Sequence, residues 1–422
     1  MTQNATVWLP YAQMQTIHTP LAVCKTQGSI LTLTDGRELI DGVASWWTAC
    51  HGYNHPKLIH AICHQANSLA HVMLGGLIHE GANQLATRLG ENLPGDLKYV
   101  FYSESGSVAV EIAMKMALQF WINKGAPQRS QFVYFQHGYH GDTFFTMSVS
   151  DPQDGIHPPF EDMLPKHCLQ KIPQTPEEFA AFESWLQEHH EKVAALLIEP
   201  LVQGAGGMKM YEAKTLEILW QICQRYDVLF IVDEIFTAFG RTGSLFAIDQ
   251  ANITPDIICL SKALSGGTLP LAATIANKKV YDAFLDQDYA KALMHGTTFM
   301  GNALACAAAI ASLDLFTNEP RLAQVADIEG MLKSALMPLQ NVAGVKTVRV
   351  KGAIGCVELA YPIIEDLNWF KLNFIEQGVW CRPFGNIVYT TPALTINSDE
   401  LEKITATIVK LIKQWSATRY RK

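Results

Sequence analysis

Two charged side chains in this 422-residue chain stand where charge is hardest to place. The run Val228-Leu229-Phe230-Ile231-Val232 is apolar throughout and ends in Asp233 and Glu234. The run Ile257-Ile258-Cys259-Leu260 ends in Ser261 and Lys262, followed by Ala263-Leu264-Ser265-Gly266-Gly267. Short, largely β-branched apolar runs of this kind read as buried parallel strands. Open α/β sheets bind their ligands beyond the carboxyl ends of such strands. Taken singly, each residue has a plain explanation: Asp233 is a solvated strand end, and Lys262 lays its stem on apolar surface and puts its ammonium in water. Taken as a pair they supply complementary chemistry. A desolvated amine loses its proton easily and can bond covalently to an aldehyde. A carboxylate can hold a protonated ring nitrogen by a charge-assisted hydrogen bond. These are the two groups that pyridoxal phosphate needs, because that cofactor draws carbanion electrons into a protonated ring. Lys262 is then expected to anchor the cofactor and move a proton at the substrate carbon.

A phosphate needs its own cradle. Tyr99-Val100-Phe101-Tyr102 reads as a strand, Ser103-Glu104-Ser105-Gly106-Ser107 as a small-residue turn, and Ser107–Trp121 as a helix. Free backbone N–H groups at a helix start bind anions, which makes Gly106 and Ser107 candidates; plain serine capping is the alternative. His295-Gly296-Thr297-Thr298-Phe299 is a second hydroxyl-rich turn, before a helix read over Asn302–Phe316. The run Gln136-His137-Gly138-Tyr139-His140-Gly141-Asp142 follows the strand Phe132–Phe135. Its glycines would let the Tyr139 ring lie over a planar cofactor, or it is an ordinary glycine-rich turn. Gln203-Gly204-Ala205-Gly206-Gly207, after the strand Ala195–Ile198, lacks the spacing of a dinucleotide loop, so a nicotinamide-dependent enzyme is disfavoured.

The elements that would hold these residues alternate. Apolar strands and helix-length amphipathic stretches, including Ala213–Tyr226, follow one another to about residue 316, the pattern of an α/β domain with helices on both sheet faces. Beyond it lie a helix at Arg321–Leu336, one near Glu365–Gln377, strands at Val379–Arg382 and Ile387–Thr390, and a closing helix at Ser398–Trp415 whose start, Asn397-Ser398-Asp399-Glu400, carries capping side chains and first-turn acids. The expected organisation is a large mainly parallel-sheet domain over 46–316, and a smaller α+β domain built from 1–45 and 317–422. With 49% hydrophobic and 17% charged residues the chain is a well-packed globular protein, and its net charge of -8 gives no reason to expect a nucleic-acid partner. Nine irregularly spaced cysteines argue against a disulfide framework and against a metal site. No basic, apolar leader or span-length apolar run is evident, so a cytoplasmic protein without a membrane segment is expected.

In combination, Asp233, then Gly240-Arg241-Thr242-Gly243, then Ser261-Lys262-Ala263-Leu264-Ser265-Gly266-Gly267 resemble the class III aminotransferases, over nearly the whole chain. The resemblance implies a type I PLP-dependent transferase fold, α/β in class. It also implies a homodimer with active sites at the subunit interface. By the same resemblance, Gly106 and Ser107 form the main phosphate turn, and Thr298, beside Thr297, reaches the phosphate held by the neighbouring subunit. Further segments are similar to the branch of the class that converts 8-amino-7-oxononanoate to 7,8-diaminononanoate in biotin biosynthesis, with S-adenosylmethionine as amino donor. They are Trp8-Leu9-Pro10-Tyr11, Asp41-Gly42-Val43-Ala44-Ser45-Trp46-Trp47, Ser105-Gly106-Ser107-Val108-Ala109-Val110-Glu111, Met294-His295-Gly296 and Arg382-Pro383-Phe384-Gly385. That likeness implies that Tyr11, Trp46 and Trp47 wall the substrate site, with Gly296 beside it, and that Arg382 binds the substrate carboxylate. The chemistry of the residues agrees: aromatic walls suit an aliphatic chain, and a planar guanidinium grips a carboxylate at two points. On a strand, however, Trp46 and Trp47 would face opposite sides, leaving one in the core, unless the segment is a loop. Ala205 stands where glutamate-using members carry an acid, and Leu9 and Thr297 depart from the branch pattern. A diamine or ω-amino acid aminotransferase of the same class is the alternative.

Overall fold

The strands Leu229–Asp233 and Ile257–Leu260, which lead to Asp233 and Lys262, are apolar but for Asp233 itself, and they occupy the middle of a seven-stranded sheet. The computed structural model describes residues 6–17, 19–152 and 158–420. In spatial order the sheet runs Tyr99–Ser103, Ala272–Ala276, Ile257–Leu260, Leu229–Asp233, Val193–Ile198, Gln131–Phe135 and Cys168–Gln170. Ala272–Ala276 is antiparallel to both its neighbours, and the other pairings are parallel. Alternate residues serve two cores. Phe230, Val232, Ile258 and Leu260 pack on one face, and Leu229, Ile231, Ile257 and Cys259 on the other. A strand buried on both faces shows no polar alternation, which is why these segments are continuous apolar runs.

The long helix Gly106–Asn123 lies on the second of those faces, with Ala109, Val110, Ile112, Ala113 and Phe120 buried. It is longer at both ends than the sequence suggested. The strand Ala272–Ala276 and the helices Pro56–Ala66 and Glu80–Asn92 were not foreseen. The strand, AATIA, is rich in alanine, a weak strand former.

Among the described residues three smaller sheets complete the fold, one of them a two-stranded ribbon in which Val202–Gln203 pairs antiparallel with Lys209–Met210. Val23–Gln27, Ile30–Leu33 and Glu38–Asp41 form an antiparallel meander, and Val379–Trp380 joins it in parallel through Val379 with Ile40 and Trp380 with Asp41. That strand stops short of Arg382, two residues earlier than expected. Val345–Lys351, Ile354–Leu359 and Ile387–Thr390 form an antiparallel sheet. The helix Arg321–Leu336 packs on this sheet, and against that helix lies Ser398–Arg419. The latter opens with a reciprocal cap: Glu400 N–H donates to Asn397 Oδ1 at 2.8 Å and Asn397 N–H to Glu400 Oε2 at 3.3 Å. No helix among the described residues is long and apolar enough to cross a membrane.

Candidate active site

A cavity of about 150 Å³ opens at the carboxyl ends of the central strands, lined by Trp47, Gly106, Ser107, Tyr139, Glu199, Asp233 and Lys262, among others. Lys262 sits in the left-handed backbone region, at φ 46°, two residues after the last residue of the strand Ile257–Leu260. This conformation is unfavourable for a residue with a side chain and persists only where its surroundings enforce it. Gly267 is part of that enforcement, since a Cβ there would stand 2.8 Å from the backbone of Ala49. Lys262 Nζ lies 4.3 Å from the Trp47 ring centroid and has no hydrogen-bond or ion-pair partner among the described residues. Burial disfavours its ammonium form, and the negative charges of Asp233, Glu199 and Asp142 offset this only in part, leaving the amine at about 8.

Asp233 is 4% exposed. One carboxylate oxygen lies 2.8 Å from His140 Nδ1 and the other accepts from Ile235 N–H at 3.1 Å. Gly106 and Ser107 begin the long helix behind Ser105, whose hydroxyl accepts from Val108 N–H. The loop after Gln131–Phe135 crosses this helix start. Asp142 N–H donates to Ser107 Oγ at 3.1 Å, and a Cβ on Gly141 would overlap Ser107. Tyr139 donates its phenol proton to Asp142 at 2.9 Å, and Tyr11 donates to the other oxygen of the same carboxylate. Burial, then the bond with Tyr11 and the Asp142 charge, push the Tyr139 phenol far above its ordinary range.

Trp46 and Trp47 do not lie on a strand. Ala44–Trp47 is a single left-handed turn, with φ of 45°, 47°, 54° and 72°. The buried Asp41 enforces it, accepting from Val43 N–H at 2.8 Å, Ser45 N–H at 2.9 Å and Tyr53 O–H at 2.5 Å. The turn sends Trp47 inward against Phe236, with ring centroids 4.3 Å apart, and leaves Trp46 at the rim. There Tyr11 meets Trp46 edge-on at 6.1 Å, and the Arg382 guanidinium lies 5.0 Å over the Trp46 ring.

Lys262, Asp233, Tyr139, Gly106, Ser107 and Trp47 therefore converge on one cavity, and Tyr11, Trp46 and Arg382 adjoin it. Gly296, Thr297 and Thr298 do not line this cavity. Gly296 and Thr298 are exposed, and Thr297 Oγ1 is buried without a hydrogen-bond partner. The sequence reading missed His140, Asp142, Phe236 and Glu199. The first two lie inside the glycine-rich run it singled out. Glu199 carries the same signal as Asp233, an acid directly after an apolar strand.

A model of the family described as aminotransferase class-III matches residues 11–412. The adenosylmethionine-8-amino-7-oxononanoate aminotransferase of Mycobacterium leprae is 41% identical over 418 residues, 96% of this chain and 95% of that one. The enzyme of the same name from Buchnera aphidicola subsp. Acyrthosiphon pisum is 40% identical over 409 residues, 95% of each chain. The crystal structure of the Methanocaldococcus jannaschii enzyme of that name superposes with a TM-score of 0.93, at 33% identity and 97% coverage of both chains. An amine transaminase from an uncultivated Pseudomonas species, solved in a PLP-bound form, superposes at 0.91 with 30% identity, covering 98% of this chain and 100% of that one. The fold, the cavity and these likenesses lead to one conclusion: the chain belongs to the class III aminotransferases, enzymes that work with pyridoxal phosphate.

Proposed function

We propose that this enzyme transfers an amino group from S-adenosylmethionine to 8-amino-7-oxononanoate, giving 7,8-diaminononanoate for biotin biosynthesis. The observation that carries this reading is Arg382: a half-buried guanidinium stacked on Trp46, with no carboxylate partner among the described residues. Its charge also reaches Lys371, whose ammonium is disfavoured first by burial and then by Arg382. A half-buried cation with no carboxylate partner among the described residues, beside an aromatic wall, suits a substrate with an aliphatic chain and a terminal carboxylate. The relatives named above for this activity support the same reading, as does Ala205 in place of the acid of glutamate-using enzymes.

The cavity residues fit pyridoxal phosphate. That cofactor, when bound, supplies an electron sink for a substrate carbanion. Lys262, an unpartnered amine at about 8, would anchor the cofactor aldehyde and then carry the proton at the substrate carbon. Asp233, steadied by His140, would hold the proton on the ring nitrogen. Gly106 and Ser107 would present the start of an 18-residue helix to the phosphate, and Tyr139 would cover the ring. Tyr11, Trp46 and Trp47 would exclude water from the substrate chain, and Gly296 would come beside it from a neighbouring subunit.

Thr297 and Thr298 fit a homodimer in which each subunit completes the phosphate site of the other. The orphaned Thr297 hydroxyl supports this, as do Met73, Leu77, Ile78, Met294 and Phe299, all more than half exposed. The proposal includes a cytoplasmic location.

The test is a half-reaction. Protein loaded with pyridoxal phosphate is mixed separately with S-adenosylmethionine, lysine and glutamate, and the visible cofactor absorbance is followed. Bleaching by S-adenosylmethionine alone, reversed by 8-amino-7-oxononanoate, is expected. Bleaching by glutamate or lysine instead would move the enzyme to another substrate pair.

A further inference from the structure

Glu199 follows the strand Val193–Ile198 and lines the cavity, 5% exposed. No cation pairs with it among the described residues. Its carboxylate instead accepts two backbone N–H groups from two different loops, Tyr139 N–H at 3.0 Å on one oxygen and Gly204 N–H at 2.9 Å on the other. The first loop carries Tyr139 and the second Ala205, and both residues line the cavity. A neutral bond also joins the same loops, from Gln203 Nε2 to Gln136 O at 2.7 Å. The titratable groups facing Glu199 are His140 and Tyr139 on the first loop, Asp233 and Lys262 at the neighbouring strand ends, and Tyr211, whose hydroxyl donates to the Glu199 backbone at 2.6 Å.

An ionised carboxylate left unpaired in a buried site is costly, so packing alone does not account for it. We propose that Glu199 is a positioning residue for the transamination: its ionised carboxylate ties the Tyr139 loop to the Ala205 loop and so sets the width of the slot that holds the cofactor ring. The idea rests on the cofactor placement proposed above. A carboxylate suits the task because both oxygens accept, whereas both partners are fixed N–H donors. Protonation turns one oxygen into a donor facing a donor and releases one tie. Burial, with a further push from Asp233 against the pull of His140, brings this carboxyl to about 7, so the tie loosens as the pH falls through that value.

Glu199→Gln makes the test. The amide is nearly the same size, yet in either orientation its NH2 opposes one of the two N–H donors. We expect pyridoxal phosphate to leave the variant holoenzyme about tenfold to a hundredfold faster, the effect of losing one hydrogen bond to a charged group. We expect kcat to fall while KM for the keto acid holds, since Arg382 is untouched. The wild-type release rate should rise as the pH drops through about 7, and that of the variant should stay flat. Gln203→Ala, which cuts only the neutral bond between the loops, should keep the wild-type pH profile. Equal release rates and equal pH profiles for wild type and Glu199→Gln would overturn the proposal. If the variant does not fold, a flat wild-type profile overturns it as well. If wild-type protein gives no visible cofactor band, the cofactor placement itself is wrong and this inference falls with it. Those two failures are read from different signals.

Discussion

At the scale of single residues, the site works by putting charges where solvent does not help them. Lys262 is the clearest case. Its amine is lowered by burial, so in cofactor-free protein it should react with an amine-directed reagent with a midpoint near pH 8, against about 10.5 for an ordinary lysine. Peptide mapping of the modified protein across that range measures it, and a midpoint above pH 10 would remove the desolvation account. Arg382→Ala should raise KM for the keto acid by roughly 30-fold to several thousandfold, the effect of losing about 2–5 kcal/mol of charged contact with the substrate carboxylate. Steady-state kinetics at fixed donor decide it, and an unchanged KM would leave Arg382 without its role. Asp233 and Lys262 were legible in the sequence because their signal is local, an apolar run broken by one charge. His140 and Asp142 were not. His140 acts through Asp233, far along the chain, and Asp142 joins the nearby Tyr139 to the distant Tyr11, and no local spacing encodes the two distant pairings.

At the scale of elements, the turn Ala44–Trp47 is the least expected piece. Successive left-handed residues each cost about 1–2 kcal/mol, and none of the four here is glycine. Nothing in their residue types announces such a turn, so the sequence leaves strand and loop both open. The turn exists because Asp41 gathers three donors at its base. Asp41→Ala should therefore lower stability by about 2–4 kcal/mol, since it leaves buried donors unmade as well as releasing the turn. It should also weaken keto-acid binding, because Trp46 and Trp47 lose their opposed orientations. Urea unfolding and KM report the two effects, and a loss of stability with KM unchanged would mean that the turn does not shape the substrate wall. The parallel strands were easy to find by comparison, since burial on both faces leaves uninterrupted apolar runs. Ala272–Ala276 escaped because its residues carry little strand preference of their own, and its place is fixed by Tyr99–Ser103 on one side and Ile257–Leu260 on the other.

At the scale of the whole molecule, one buried carboxylate joins the ribbon of Val202–Gln203 and Lys209–Met210 to the sheet of Val345–Lys351, Ile354–Leu359 and Ile387–Thr390. Glu358, 2% exposed, takes Lys209 from the ribbon and Lys346 and Arg349 from its own sheet. Burial alone would raise its pKa, but the three cations outweigh that and bring it to about 2. A carboxyl lowered in the folded state stabilises the fold fully above its unfolded value near 4.5, and that stability is lost as the pH falls toward 2. The amount at stake is at most about 3 kcal/mol. Glu358→Gln should thus be less stable at neutral pH and lose less stability between pH 4.5 and 2 than the parent. Thermal unfolding across that range measures both, and parallel acid limbs would exclude Glu358 as their source. The likeness of segments near both ends to one family was legible in the sequence. How the ends meet was not, because the parallel pairing of Val379–Trp380 with Glu38–Asp41 leaves no mark in either short strand.

That pairing also has a consequence in time. Trp46 and Trp47 follow the strand Glu38–Asp41, and Arg382 follows Val379–Trp380, so the rim where Arg382 covers Trp46 forms only when these two strands meet. On a ribosome adding about 5–20 residues per second, the N-terminal meander emerges roughly 17–70 s before its last strand. The central sheet and the lysine it carries are complete well before then. A nascent chain therefore holds an open, aromatic-lined edge while it waits, and chaperone capture or misassembly should concentrate there rather than at the central sheet.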